Sequence, residues 1–174
     1  MIEYHDTEWG VPLHQDRKIY EFLVLEGMQA GLSWSTILRK RENFRVAFQG
    51  FDPVIVAEFG SRDVNRLISD PGIIRNRLKI EAAVTNARCF LTVQREFGSF
   101  DRYIWEFVGG KPIMHRFRQV SDVPSTSPES DRLSKDMMQR GFKFAGSTII
   151  YAYMQATGMV NDHLVGCFRR SEII

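Results

Sequence analysis

Apolar residues recur at three- and four-residue intervals along almost the whole chain, and the alternation of a half-buried strand is hard to find. A chain patterned this way can bury its apolar surface only by packing helix on helix. The spacing predicts helices over residues 18–29, 35–43, 53–59, 62–68, 74–96, 100–108, 128–140 and 147–157. Local punctuation agrees: Asp16 and Ser61 stand as N-caps, Pro53 and Pro128 suit first-turn positions, and Gly141 and Gly158 lie where helices should stop. Residues 118–127, with Pro124 and several Ser and Thr, form the longest loop candidate. No linker rich in Pro, Gly or Ser divides the 174 residues, of which 44% are hydrophobic. A single, nearly all-α domain over 1–174 is expected.

Within that pattern one residue is out of place. In LEGMQAGLSW, residues 25–34, a carboxylate is set into an apolar stretch, and Ile19, Phe22, Leu23 and Leu25 put Glu26 on or beside the buried face of its helix. A desolvated glutamate must be paired, protonated or kept for a ligand. The alternative is an acid that turns outward at the helix end or caps a neighbour.

The charge balance is undemanding. A net charge of +2 permits a polyanionic partner without requiring one, so any case for nucleic acid rests on where the charges lie. No apolar run approaches the roughly 20 residues that cross a bilayer, and no signal peptide opens the chain, so a soluble, cytoplasmic protein without a membrane partner is expected. Cys89 and Cys167 are too few for a disulfide scaffold, and Cys89 reads as a buried small hydrophobe.

Residues 66–80, RLISDPGIIRNRLKI, read as a helix ending near Ser69, a tight turn at Asp-Pro-Gly, and a long helix opening at Ile73 or Ile74. This is a helix-hairpin-helix pattern over about 62–88. Gly72 allows the close turn, and the first-turn amides of the second helix, followed by Arg75, Arg77 and Lys79, could grip a phosphate backbone without reading sequence. An ordinary helical hairpin with a solvated basic face would look the same. A second basic cluster at 39–45, RKRENFR, could flank the same DNA or merely solvate a helix.

The segments YHDTEWGVP (4–12), EGMQAGLSW (26–34), KREN (40–43), DPGIIR (70–75), RGFKF (140–144) and NDH (161–163) with Cys167 resemble, in order and spacing, the constitutive bacterial 3-methyladenine DNA glycosylase I family. The resemblance implies a helix-hairpin-helix repair enzyme that flips 3-methyladenine out of duplex DNA and hydrolyses its N-glycosidic bond. It implies a catalytic pocket in which Glu26 accepts hydrogen bonds from the cationic base, Trp34 stacks on it, Tyr4 bonds its edge and Trp9 stands near the mouth. It assigns Gln29, Gly31 and Leu32 to a loop that invades the duplex, with Leu32 as the wedge. A methylated adenine is already a good leaving group, so no strong general acid is required, and Asp101 is assigned no catalytic role. The partner implied is double-stranded DNA carrying alkylated bases, met by a monomer.

His163 and Cys167, four apart, place an imidazole and a thiolate on one face of a helix or turn, a zinc-binding pair. The resemblance adds His5 and a cysteine upstream of it, closing a structural Zn²⁺ that ties the termini together. The sequence begins at Met1, and no cysteine stands in that place. A late or truncated start, a three-ligand zinc completed by water, and an empty site all remain open, as does loss of part of the pocket wall. Two other functions stay in view: a non-catalytic hairpin module that recognises damaged DNA, and a zinc-dependent hydrolase built on the open coordination position.

Overall fold

The structure, a computed structural model, describes residues 1–173. Among these residues lie ten α-helices: α1 (Ile2–Thr7), α2 (Asp16–Gln29), α3 (Trp34–Ala47), α4 (Pro53–Ala57), α5 (Ser61–Ile68), α6 (Arg77–Phe97), α7 (Phe100–Glu106), α8 (Pro128–Gln139), α9 (Ser147–Ala156) and α10 (Arg169–Glu172). The expected all-α architecture is found, and the only sheet among the described residues is a parallel pair of two-residue strands, β1 (Ile113–Met114) and β2 (Val160–Asn161). No helix among them is long and apolar enough to cross a membrane.

α2 is the hub. It packs against α3, α6, α7 and α9, and residues 19–26 are buried without interruption. The expected apolar stripe is therefore an entire helix circumference, and an acid at its C-terminal end has no solvent face to turn towards. α6, the longest element, runs along α2, α4, α5 and α7, while α8 and α9 pair and present α9 to α2.

Several boundaries differ from expectation, each for a local reason. Asp16 does not cap α2, whose N-cap is Gln15. Its carboxylate reaches across the fold to the amides of Phe100 and Asp101 at 2.9 and 2.8 Å, satisfying the first turn of α7. Ser61 is the first residue of α5 rather than its cap, which is Gly60. α6 opens at Arg77, not at Ile73 or Ile74, because Asn76 caps it through Lys79 N at 3.2 Å. Ile73 is buried from the connecting segment, which is why it joined the periodic pattern. α3 runs to Ala47, and its start is capped by Ser33, which accepts from Thr36 N. Pro53 and Pro128 occupy the predicted first-turn positions.

The two ends of the chain meet. Gly10 N donates to Gln155 O at 3.1 Å and Leu13 N to Thr157 O at 3.0 Å, stitching the segment after α1 to the end of α9. Gly158 makes the approach possible: its φ is +70°, and a Cβ there would overlap the carbonyl group of Val11. Gly158→Ala should therefore destabilise the protein by about 2–4 kcal/mol, lowering Tm by about 5–10 °C in thermal unfolding. An unchanged Tm would show that the seam between the termini yields freely.

Candidate active site

Two buried acids lie five residues apart on α2, and the fold treats them oppositely. Glu21 accepts from Arg41 Nε at 2.7 Å and Arg45 Nη2 at 2.9 Å, and Arg41 also reaches Glu8. Burial alone would raise its pKa, but Arg41 above all, with Lys18 and Arg45, holds it below the usual carboxylate range. Glu26 is only 4% exposed, and its Oε2 is buried with no partner. Burial pushes its pKa up to about 8, so at neutral pH the carboxyl of the empty site is largely protonated. Two guanidinium groups of α3 reach one acid, and none reaches the other.

Tyr4 Oη and Trp34 Nε1 share this condition: both are buried and neither has a partner. The three groups are neighbours. The Tyr4 and Trp34 rings lie 5.6 Å apart, and burial first, then the charge of Glu26, raises the Tyr4 phenol far above its ordinary range, keeping it a neutral donor. Unsatisfied buried polar atoms each cost on the order of 1–3 kcal/mol, so their convergence marks a place prepared for something that can bond to them. Beside Glu26 opens a cleft of about 330 Å³, with Glu26, Gln29, Ala30, Gly31 and Leu32 on one side and Thr148, Ile149 and Ala152 of α9 on the other; Tyr4 and Trp34 pack behind Glu26 and do not line it. The α9 wall carries no polar signature that would have singled it out in the sequence.

The rim of the cleft is a tight turn. Leu32 N donates to Gln29 O, Ala30 has φ −41° and ψ 115°, and Gly31 has φ +76°, the dihedrals of a type II turn with glycine where a positive φ is required. Leu32 stands beyond it, 42% exposed.

Trp9, expected at the pocket mouth, instead packs on two imidazoles, with ring centroids 6.0 Å from His5 and 4.6 Å from His163. Asp101 pairs with His14 at 2.8 Å.

The hairpin connecting α5 to α6 is braced from α3. Lys40 Nζ donates to the carbonyls of Pro71 and Gly72 at 3.0 and 3.3 Å, and Asn43 Nδ2 to Gly72 O at 3.2 Å. A Cβ on Gly72 would crowd Asp70 Oδ1 and the Asn43 side chain, so close approach is the reason for glycine here. The cluster at 39–45 is thus largely consumed inside the protein, by the hairpin turn and by Glu21 and Glu8. Arg75 and Arg77 are exposed; Arg77 bonds Asn65 Oδ1 at 3.0 Å and Glu81 at 3.5 Å, and Arg75 has no partner among the described residues. Lys79 is a correction. It is 8% exposed, and its ammonium donates inward to Met28 O at 2.9 Å and Ala30 O at 2.6 Å. The signal was available, since Lys79 shares a helical face with the buried Ala83 and Ala87.

His5, His163 and Cys167 come together as expected, their ligand atoms within 4.8 Å of one another. The segment joining His163 to Cys167 is a turn closed by Cys167 N to Leu164 O, not a helix. Cys167 Sγ lies 3.5 Å from His163 Nδ1 and 3.6 Å from His5 Nε2. His163 Nε2 bonds the Trp9 carbonyl at 3.1 Å and His5 Nδ1 bonds the Asp6 carboxylate at 2.7 Å, so each ring spends its proton outward and turns a lone pair towards the thiol. Two imidazoles and a thiol with these outer bonds suit Zn²⁺.

An acid without a partner, an aromatic pair beside it and a cleft between the end of α2 and α9 mark the candidate site of a helical protein. Comparison with known proteins names the class. The family described as methyladenine glycosylase matches residues 1–170. DNA-3-methyladenine glycosylase 1 of Escherichia coli (strain K12) is 50% identical over 166 residues, 95% of this chain and 89% of that protein. A crystal structure of 3-methyladenine DNA glycosylase I superposes with a TM-score of 0.94 at 49% identity, covering 96% of this chain and 92% of that one. The glycosylase I from Staphylococcus aureus, solved for the structural basis of 3-methyladenine recognition, superposes with a TM-score of 0.95 at 37% identity, covering 97% and 90%. The chain belongs to the methyladenine glycosylase family.

The state of Glu26 has a measurable effect on the empty protein. Its folded pKa lies above that of the unfolded chain, so its contribution to stability is fully present below about pH 4.5 and is lost as pH rises through about 8. Glu26→Gln should therefore raise stability at pH 9 by about 2–4 kcal/mol, with the gain shrinking towards pH 5. Denaturant unfolding of both proteins across that range checks it; a gain independent of pH would contradict the assignment.

Proposed function

We propose that this protein is a DNA-3-methyladenine glycosylase, extruding the methylated base from alkylated duplex DNA as a monomer and hydrolysing its N-glycosidic bond. The observation that carries the reading is the unpaired Glu26 carboxyl, raised to about pH 8, at the edge of the cleft beside Trp34 and Tyr4. An adenine methylated at N3 in DNA is a cation. Entering the cleft, it supplies the charge partner that Glu26 lacks, the carboxyl gives up its proton, and a charge-assisted hydrogen bond offsets the desolvation that had held it neutral. Unmodified adenine is neutral and offers no such compensation, so selection is electrostatic. The names of the relatives support the same activity.

The other roles follow the geometry. Trp34 provides the stacking face and Tyr4 a neutral donor to the base edge. Leu32, at the tip of the cleft's rim, fills the gap left by the extruded nucleotide, with Gln29 and Gly31 shaping that loop. The segment from α5 into α6 acts as a helix-hairpin-helix, gripping phosphates through backbone amides near Gly72 and through Arg75 and Arg77. In the chemical step, the electrons of the C1′–N bond return to the cationic ring, which leaves as a neutral base. Water adds to the sugar carbon and its proton passes to solvent. The ring's own charge drives departure, so the protein's contribution is extrusion, orientation and exclusion of competing solvent. We also infer that His5, His163 and Cys167 hold a structural Zn²⁺ that ties the chain ends together, with no part in the reaction.

Incubated with methylated duplex DNA, the protein should release free 3-methyladenine. Glu26→Gln and Trp34→Ala should each slow release about 10–100-fold while both variants still unfold cooperatively, as expected for losing one charge-assisted hydrogen bond or one stacking face. Full activity in both variants would overturn the pocket assignment. In the metal test, the purified chain should bind about one Zn²⁺. Binding should raise Tm, and Cys167→Ser should abolish uptake, while base release persists after chelation. Activity that vanished with chelator and returned with zinc would instead support a metal-dependent hydrolase.

A further inference from the structure

Lys79 is a buried ammonium without an acid. Its Nζ donates to two backbone carbonyls, Met28 O at 2.9 Å in the last turn of α2 and Ala30 O at 2.6 Å in the turn that follows. Part of this is ordinary capping, a cation at the negative end of a helix dipole satisfying a carbonyl that the helix leaves free. The bond to Ala30 does more. In the turn closed by Leu32 N and Gln29 O, the Ala30 carbonyl belongs to the central peptide, and it is the orientation of that peptide that separates a type II turn from a type I turn. Flipping it would swing the Ala30 oxygen off the ammonium and bring Gly31 out of its φ of +76°. A Cβ at Gly31 would meet nothing within 4 Å, so glycine is there for its φ and not for want of space. Two unrelated residues, one in the loop and one on α6, thus select the same turn.

We infer that Lys79 is a positioning residue for DNA strand invasion: by locking the central peptide of the 29–32 turn it sets the direction in which Leu32 projects, and it ties that wedge rigidly to the helix whose first residue is the exposed Arg77. The inference rests on the proposed glycosylase function. Leu32 is an exposed apolar side chain on a four-residue turn, and a turn free to flip would spend the gain of insertion on ordering itself. Lys79 removes that freedom beforehand. It also fixes the distance between the wedge and the arginines beside the hairpin, so that a protein holding the backbone in register has its wedge in register as well.

The test separates wedge from pocket. Lys79→Met keeps the length and apolar stem and removes the donor; Lys79→Gln, which retains an amide donor, serves if the methionine variant does not fold; and Gly31→Ala strains the same turn from within. For each, one measures release of 3-methyladenine from methylated duplex, affinity for free 3-methyladenine by tryptophan fluorescence, and fluorescence of 2-aminopurine placed opposite the lesion, which reports unstacking when the wedge enters. Lys79→Met and Gly31→Ala should lose about tenfold to a hundredfold in release, as expected for a misplaced positioning group, and should lose the 2-aminopurine signal, while the free-base affinity of Lys79→Met stays within about threefold of the parent. A fall in free-base affinity matching the fall in release would make Lys79 a support of the Glu26 pocket and overturn the inference. So would an undiminished 2-aminopurine signal. If the parent releases no base, the glycosylase reading itself fails, and the 2-aminopurine comparison between parent and variants still decides whether Lys79 governs strand invasion.

Discussion

The unbroken burial of α2 from Ile19 to Glu26 is the constraint on which the rest of the molecule depends. A helix surrounded on all sides must satisfy every polar group it carries from other elements, and the neighbours of α2 are arranged to do so. At its start, the Asp16 carboxylate receives Gln94 and two amides of α7. At its middle, Glu21 receives two arginines of α3. At its end, Lys79 of α6 closes the free carbonyls. Each bond also docks a helix, so the polar groups of α2 specify where α3, α6 and α7 sit as firmly as the apolar packing does. Glu26 is the exception to this accounting, and the proposed function turns on that exception.

How much of this was legible in the sequence divides along physical lines. The helical period is a local property written into every turn, so fold class and most helices could be read, as could the burial of Glu26 from its neighbours. The convergence of His5, His163 and Cys167 was legible only through family resemblance, because the two chain ends have no local signal that they meet. The partners of long-range polar contacts were not legible, even where, as at Lys79, the helical face hinted that the side chain turns inward. Asp16 looks like a cap for its own helix and serves another. Lys79 looks like a phosphate ligand beside Arg75 and Arg77, and points the other way. Asn76 overrode the apolar pattern of Ile73 and Ile74, because a cap with a real hydrogen bond outweighs a period shared equally well by an extended, buried segment.

The basic residues carry a related lesson. Residues 39–45 form the densest positive cluster in the chain, yet Arg41, Arg45 and Lys40 are committed to acids and carbonyls within the protein. With a net charge of only +2, little long-range field is left to draw in a polyanion. Attraction to DNA under the proposed function must then be short-ranged, delivered by a few exposed side chains and by backbone amides at the hairpin. Lys40 and Asn43 contribute indirectly, by holding that hairpin in shape.

The seam between the chain ends has a consequence for how the protein is made. Tyr4, part of the candidate site, belongs to a short helix whose following segment is held by Gln155, Thr157 and His163. Those partners leave the ribosome long after α1 does. During synthesis, α1 can meet α2 and α3 early, through Tyr4 against Phe22 and Trp34 and through Glu8 with Arg41, but the segment after it is stitched down only once α9 and His163 have emerged, since contacts between residues so distant in sequence form late. A nascent chain that has not yet reached α9 therefore carries Glu26 without Thr148, Ile149 and Ala152, the opposite wall of its cleft, and the cleft comes into being only once that helix has been made.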